Sequence, residues 1–320
     1  MTAVAAAGKR RTGSRWTVRP GELDPVLLLS AGVLLALGVV MVASASITVA
    51  ARESGDPWHF LVRQVGFVGF GIVVAWAVVQ LPLARWQQLA RPLFVASLVM
   101  LALVLVPGLG RTVNGSTRWL EVGAMGFQVS EAAKLAVIVY LADFVVRRET
   151  AVRSTWGAFL SPLALVALAA CLLLMEPDFG AAVLLVACSL GVLFLGGVPL
   201  ARFGLLVGAA AAVLAALAFS SPYRMERITA FLDPWADPFN SGFQLTQSLI
   251  AIGSGGWTGV GLGASVQKLF YLPEAHTDFL FAIFAEETGL LGVLAVIAIY
   301  FVLVGRAFDI AARAHRASLT

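Results

Sequence analysis

The sequence predicts an all-α polytopic membrane protein with about eight transmembrane helices and a large extracytoplasmic loop between the seventh and the eighth. Three observations carry this prediction. Of the 320 residues, 60% are hydrophobic and 12% are charged, and the mean hydropathy is +0.91. A soluble domain of that length would need many more charges to cover its surface with polar groups. Eight predominantly apolar runs of about the length that crosses a bilayer alternate with basic punctuation. The basic residues, finally, gather on one side of those runs.

Taken in order, the runs are 25–51, 60–81, 86–106, 131–146, 156–175, 179–198, 203–219 and 278–305. Arg91-Pro92 interrupts the third, and the fourth is short and opens on charged residues. Residues 1–24 then form a polar, basic cytoplasmic tail, 25–305 the membrane domain and 306–320 a second cytoplasmic tail. The first run is too long for the core of a cleavable signal, so it should stay as a span. With the N-terminus inside, Lys9, Arg10, Arg11, Arg15, Arg19, Arg85, Arg91, Arg147, Arg148, Arg153, Arg202, Arg306, Arg313 and Arg316 are cytoplasmic, fourteen of the 22 basic residues. The pI of 9.4 does not point to nucleic acid, because these charges are spread over separate segments instead of one basic face.

Cys171 and Cys188 sit in apolar spans as small hydrophobes. There is no GxxxxGK[ST], no GxGxxG after a strand and no HExxH, so nucleotide and zinc chemistry are unsupported. Two long connections, 107–130 and 220–277, face outward, and long connections are usually functional. Chemistry placed there is out of reach of cytoplasmic nucleotides. A transferase working outside needs a preactivated donor, for which a lipid pyrophosphate is the obvious class.

In the first of these loops Asn114-Gly115 signals a turn, and Arg118-Trp119 sets a cation beside an interfacial aromatic. Ser130 is a good N-cap for the fourth helix. Glu131 and Lys134, three apart on one helical face, either steady the helix end as an ion pair or serve function, since ionisable groups entering a membrane are costly. The turn MEPDFG places Glu176 and Asp178 on the same outer side, and Asp143 lies four residues before Arg147 as a local salt bridge. The second loop mixes amphipathic stretches with a glycine-rich segment, 253–263, whose backbone can approach a ligand closely. Lys268, Glu274, His276 and Asp278 follow and lead into an apolar helix. At that helix's N-terminal end the dipole and free amides stabilise an anion, so Asp278 is either a plain cap or a carboxylate able to accept a proton.

At these residues the chain resembles the SEDS family of FtsW, RodA and SpoVE, the polytopic polymerases of peptidoglycan. The stretches AFLDPWADPFNSGFQLTQSLIAIGSGGWTGVGLG and VQKLFYLPEAHTDFLFAIFAEETGLLG look like the family's long outer loop and next helix. NGSTRWLEVGAMGFQVSEAAKLA and EPDFGAA match its other recurring blocks, and VQKL before YLPEAHTDF looks more like FtsW than RodA. Val129 stands where the family usually has proline. The family has ten spans and this chain ends after the eighth, so the resemblance implies a piece without the two closing helices.

The resemblance implies an inverting glycosyltransferase of the bacterial cytoplasmic membrane, at work at the division septum. It would polymerise lipid II, an undecaprenyl-pyrophosphate-linked disaccharide-peptide, into β-1,4 glycan. Asp278 takes the family's essential aspartate as general base. Arg118, Lys134 and Lys268 are the nearest cations for the pyrophosphate, with Glu131, Asp178, Glu274 and His276 as further substrate contacts. No cofactor is required; a divalent cation, Mg or Mn, would come with the pyrophosphate. The implied partners are a class B penicillin-binding protein transpeptidase (FtsI-like), other divisome proteins and membrane lipid. The competing readings are a flippase for the same lipid, an elongation-type polymerase, and a scaffold that recruits a transpeptidase.

Overall fold

The computed structural model describes residues 23–319 apart from 114, 115, 123, 124 and 270. The Lys9–Arg19 cluster and the Asn114-Gly115 turn signal lie outside the described residues. Among the described residues eleven helices form: α1 (Pro25–Glu53), α2 (His59–Gln80), α3 (Leu83–Val104), α4 (Val129–Arg147), α5 (Glu149–Ser154), α6 (Trp156–Met175), α7 (Phe179–Leu195), α8 (Leu200–Phe219), α9 (Pro222–Leu232), α10 (Phe243–Ser254) and α11 (Leu280–Leu319). Each of the eight expected runs falls on one of them. Six helices, α1, α2, α3, α6, α8 and α11, are long and apolar enough to cross a membrane, and α7 is a shorter apolar helix. The chain is a multi-pass membrane protein.

Several helix ends follow from single residues. Asp24 caps α1, its carboxylate accepting from the amides of Val26 and Leu27 with Pro25 at the first helical position. Arg306 reaches the same carboxylate at 2.6 Å, and that guanidinium with the cap bonds holds Asp24 down at about 2. Asp178 caps α7 through the amide of Ala181. The expected cap of α4 differs: the helix begins at Val129 after Gln128, and Ser130, buried, accepts from the Gln128 side chain. Val129 shares that buried first turn, so the apolar residue draws the helix start back before the hydroxyl.

The connection 107–130 contains a three-stranded antiparallel sheet, β1 (Gly110–Val113), β2 (Ser116–Val122) and β3 (Met125–Gln128), in the order β1-β2-β3. Arg111 pairs with Trp119, and Trp119 with Gln128. β-Branched and aromatic residues, Thr112, Thr117 and Trp119, supply the strand preference, which the charges and turn formers around them obscure in a linear reading.

Contacts divide the described chain into two units, 81–220 and 23–80 with 221–319. The first packs Phe94, Leu101, Leu141, Phe159, Leu173 and Leu185 at its centre, with Phe94 and Tyr140 stacked at 4.5 Å between ring centroids. The second packs Met41 and Ala45 of α1 against Ala251, Leu272, Ala275, Ile283 and Phe284. Outside these cores many apolar side chains stay uncovered: α2 has no buried residue, although Val and Phe dominate it. In a bilayer such faces meet lipid tails, so packing among helices need cover only part of each one.

Candidate functional site

In the unit of 81–220 the candidate side chains lie on the sheet, at the start of α4 and in the α6–α7 turn. Arg118, on β2, donates from Nε to Ser116 Oγ at 2.7 Å and from Nη2 to the Pro177 carbonyl at 3.3 Å. Its Nε also stands 3.7 Å from Asp178 Oδ2. Ser116 in turn donates to the carbonyl of Glu176. β2 is thus tied to the turn through one guanidinium and one hydroxyl. Asp178, 6% exposed, is shared between Arg118 and its cap of α7.

Glu176 in this turn is 1% exposed, and neither of its carboxylate oxygens has a partner among the described residues. Burial, followed by repulsion from Asp178, pushes its carboxyl up to about 7 against the pull of Arg118. Glu131 and Lys134 form the expected ion pair at 2.8 Å on the first turns of α4, with Lys134 the less exposed partner. Asp143 and Arg147 pair at 2.6 Å at its other end.

In the other unit a loop runs from the end of α10 to the start of α11 and carries the remaining candidates. Asp278 lies just before the helix, which starts at Leu280. Its side chain is exposed. No amide, hydroxyl or cation among the described residues bonds its carboxylate, so it caps nothing. The expected stabilisation by free helix amides is replaced by a local turn, in which the Glu274 carbonyl accepts from the amides of Thr277 and Phe279. Glu274 itself sits at φ 55, where a side chain is rarely found, and its carboxylate accepts from Thr277 Oγ1 at 2.6 Å. His276 lies against the ring of Phe60 from α2 at 4.7 Å. Further along the same unit a cavity of about 340 Å³ is lined by Tyr223, Glu226, Arg227, Asn240, Gln244 and Pro273.

Lys268, expected among the outward cations, is buried instead, at 6% exposed. Its Nζ donates to Glu287 Oε1 at 2.7 Å and to Ser44 Oγ of α1 at 3.0 Å. An ammonium so enclosed is held by its counter-ion and is not open to a phosphate. The sequence reading passed over its partner Glu287 and the neighbouring Glu286. Both stood in the apolar run 278–305, where two adjacent acids demand partners, and that is the signal that could have found them. Two glycines of 253–263 approach backbone of α11. Gly255 and Gly259 lie so close to the carbonyls of Ala285 and Glu287 that a Cβ would overlap them.

The fold and these loops define a class: a multi-pass helical membrane protein whose titratable groups gather in a strand-bearing connection and in a glycine-rich loop before a broken helix. The chain belongs to the FtsW/RodA/SpoVE family, described as cell cycle protein, whose profile matches residues 25–319. It is 56% identical over 318 residues to a protein of Thioalkalivibrio sulfidiphilus named probable peptidoglycan glycosyltransferase FtsW, covering 99% of this chain and 80% of that one. A protein of Halorhodospira halophila with the same name is 51% identical, covering 97% of this chain and 78% of the relative. Among solved structures, a chain described under structural coordination of polymerization and crosslinking by a peptidoglycan synthase complex matches with TM-score 0.69 and 30% identity, over 91% of this chain and 78% of that chain. The rod shape determining protein RodA of Thermus thermophilus matches with TM-score 0.63 and 30% identity, over 91% and 75%.

Proposed function

We propose that this chain is a peptidoglycan glycosyltransferase that polymerises lipid II at the outer face of the bacterial cytoplasmic membrane, with Asp278 as general base. The observation that carries the reading is the state of that carboxylate: exposed and, among the described residues, uncapped and unpaired, at the mouth of a helix whose own acids are engaged. A carboxylate kept for structure would be spent on amides or a cation, as Asp178 is. The names of the close relatives supply the reaction class.

Asp278 takes the proton of the acceptor sugar hydroxyl as that oxygen attacks the donor's anomeric carbon. The bond to the lipid pyrophosphate breaks, and the pyrophosphate leaves with the electron pair. Attack opposite an α-linked leaving group gives a β-linked glycan, so a single base suffices without a covalent intermediate. A positioned base contributes roughly 10² to 10⁴ in rate, and orientation of the two saccharides supplies a further share. The cationic candidates of the sequence, Arg118 and Lys134, belong to the other unit, and no step is assigned to them here. Among the described residues no three His, Cys, Asp or Glu side chains come together as a metal cage. A divalent cation that assists the reaction would be one bound to the pyrophosphate, and no step is assigned to it.

The likeness to a synthase-complex chain supports a class B penicillin-binding protein as partner, and the FtsW names of the relatives support work at the septum; the placing of basic residues supports a cytoplasmic N-terminus. The break in α11 at Gly289 favours one second reading, a lipid II transporter, because transporters place broken helices at their binding sites. One experiment separates the two. The purified protein with its partner transpeptidase is given lipid II, wild type beside Asp278→Asn. The variant is expected to bind lipid II and make no glycan; undiminished polymerisation would remove Asp278 from the mechanism.

A further inference from the structure

α11 is interrupted at Gly289, which takes φ 67 and ψ −169. In a continuous helix the carbonyls of Glu286 and Glu287 would accept from the amides of Leu290 and Leu291. Here each group finds its bond elsewhere. The Glu286 carbonyl accepts from the Val260 amide at 3.0 Å and the Glu287 carbonyl from the Gly261 amide at 3.1 Å. The Leu290 and Leu291 amides donate to the carbonyls of Gly256 and Trp257 at 2.9 and 3.1 Å. Four bonds to the glycine-rich segment thus replace the two lost at the break, as a membrane interior demands. Gly259 and Gly289 make the approach feasible: each has positive φ, and a Cβ on either would overlap backbone of the other segment.

Side chains lock the same two segments. Glu286, 2% exposed, accepts from Ser265 Oγ and from the Val266 amide. Glu287, 1% exposed, accepts from Lys268 Nζ at 2.7 Å and from Ser44 Oγ of α1 at 2.7 Å. The chain is therefore fastened at 255–268 on one side and at the start of α11 on the other, and Asp278 is strung between the two fastenings. Between them Leu272 and Ala275 are buried in the core. Backbone bonds and apolar packing alone would hold such a loop. An ion pair taken out of water costs desolvation and adds little to stability over an apolar pair of the same size. What it adds is a single register, since Lys268 has one carboxylate to meet.

We infer that Lys268 and Glu287 are positioning residues for the reaction assigned above, fixing through their buried ion pair, closed by Ser44, where Asp278 stands. The inference rests on the reading of Asp278 as the base. The loss of one charge leaves the other buried and unpaired, so the loop must loosen to hydrate it, and Asp278 moves with it. A displacement of about 1 Å at a catalytic group can cost on the order of 10² in rate.

The experiment compares Glu287→Gln, the double variant Lys268→Met with Glu287→Leu, and the charge exchange Lys268→Glu with Glu287→Lys, in the membrane-reconstituted protein with its partner. Amide hydrogen exchange over 269–279 is read beside polymerisation kinetics. Glu287→Gln is expected to exchange faster across that stretch and to lose roughly 10² in kcat, with KM for lipid II nearly kept. The double variant should regain thermal stability without regaining turnover, and the charge exchange should regain part of the turnover. Unchanged exchange in Glu287→Gln overturns the inference, and so does wild-type turnover by the double variant. Full polymerisation by Asp278→Asn would instead overturn the base assignment, and the exchange result would still decide whether the pair fixes the loop.

Discussion

The first turns of α11 and the α6–α7 turn both bury carboxylates, and they treat them in opposite ways. Glu286 and Glu287 are nearly inaccessible, yet a hydroxyl and an amide meet one, and a hydroxyl and an ammonium the other. Glu176 is as deeply buried, but among the described residues neither oxygen is met by a donor. Arg118, the cation beside it, is divided among Asp178, Ser116 and Pro177. The same side chain at the same burial is thus met by donors in one place and, in the other, left without them and raised in pKa. Donor supply makes the difference, because a buried ion without partners gives up its charge.

The comparison can be broken or sharpened by substitution. The largest effect belongs to the carboxylate that neither region contains: removal of Asp278 should cost roughly 10² to 10⁴ in polymerisation rate while leaving the fold intact. Next comes Lys268→Met, which strands Glu287 without its cation. It is expected to lower stability by about 3–5 kcal/mol, measured by chemical unfolding in micelles, and Glu287→Leu on top of it should recover most of that loss. If the single and double variants unfold alike, Glu287 is not held as an anion.

Glu176 gives the third effect, with the sign set by its raised value. The unfolded carboxyl titrates near 4.5 and the folded one at about 7. Between these values the folded state keeps a proton that the unfolded state has lost, so stability falls as pH rises through the window and levels off above it. The loss is at most about 3 kcal/mol. Glu176→Gln should abolish the slope and be the more stable protein at pH 8, which thermal unfolding at pH 5 and pH 8 reads directly. The smallest effect is the control: Arg111 and Glu121 pair at 3.1 Å on the sheet with both side chains more than half exposed. Arg111→Ala should change stability by less than about 0.5 kcal/mol in the same unfolding measurement.

The helices were legible because a bilayer imposes a long, nearly uncharged run on each crossing, and such a run survives as a pattern in one dimension. The ion pairs Glu131–Lys134 and Asp143–Arg147 were legible for a related reason, since three or four positions apart is one face of one helix. The small sheet was not, its strands being too short to outweigh the charges and turn formers in the same stretch. The cap of α4 was misplaced because the buried first turn pulled the helix start back to Val129.

Alone, the sequence determined the membrane class, the order of apolar helices, the two polar connections and, through the PEAHTDF block, the family. Tertiary structure decided which charges are spent. It gave Lys268 to Glu287 and Ser44, turned the glycines of 253–263 onto the break in α11, and left Asp278 uncapped before its helix. The reason is range: local pattern fixes what a residue can reach within a turn or two of its own helix, whereas Ser44 and Glu287 meet only when the distant helices that carry them pack together.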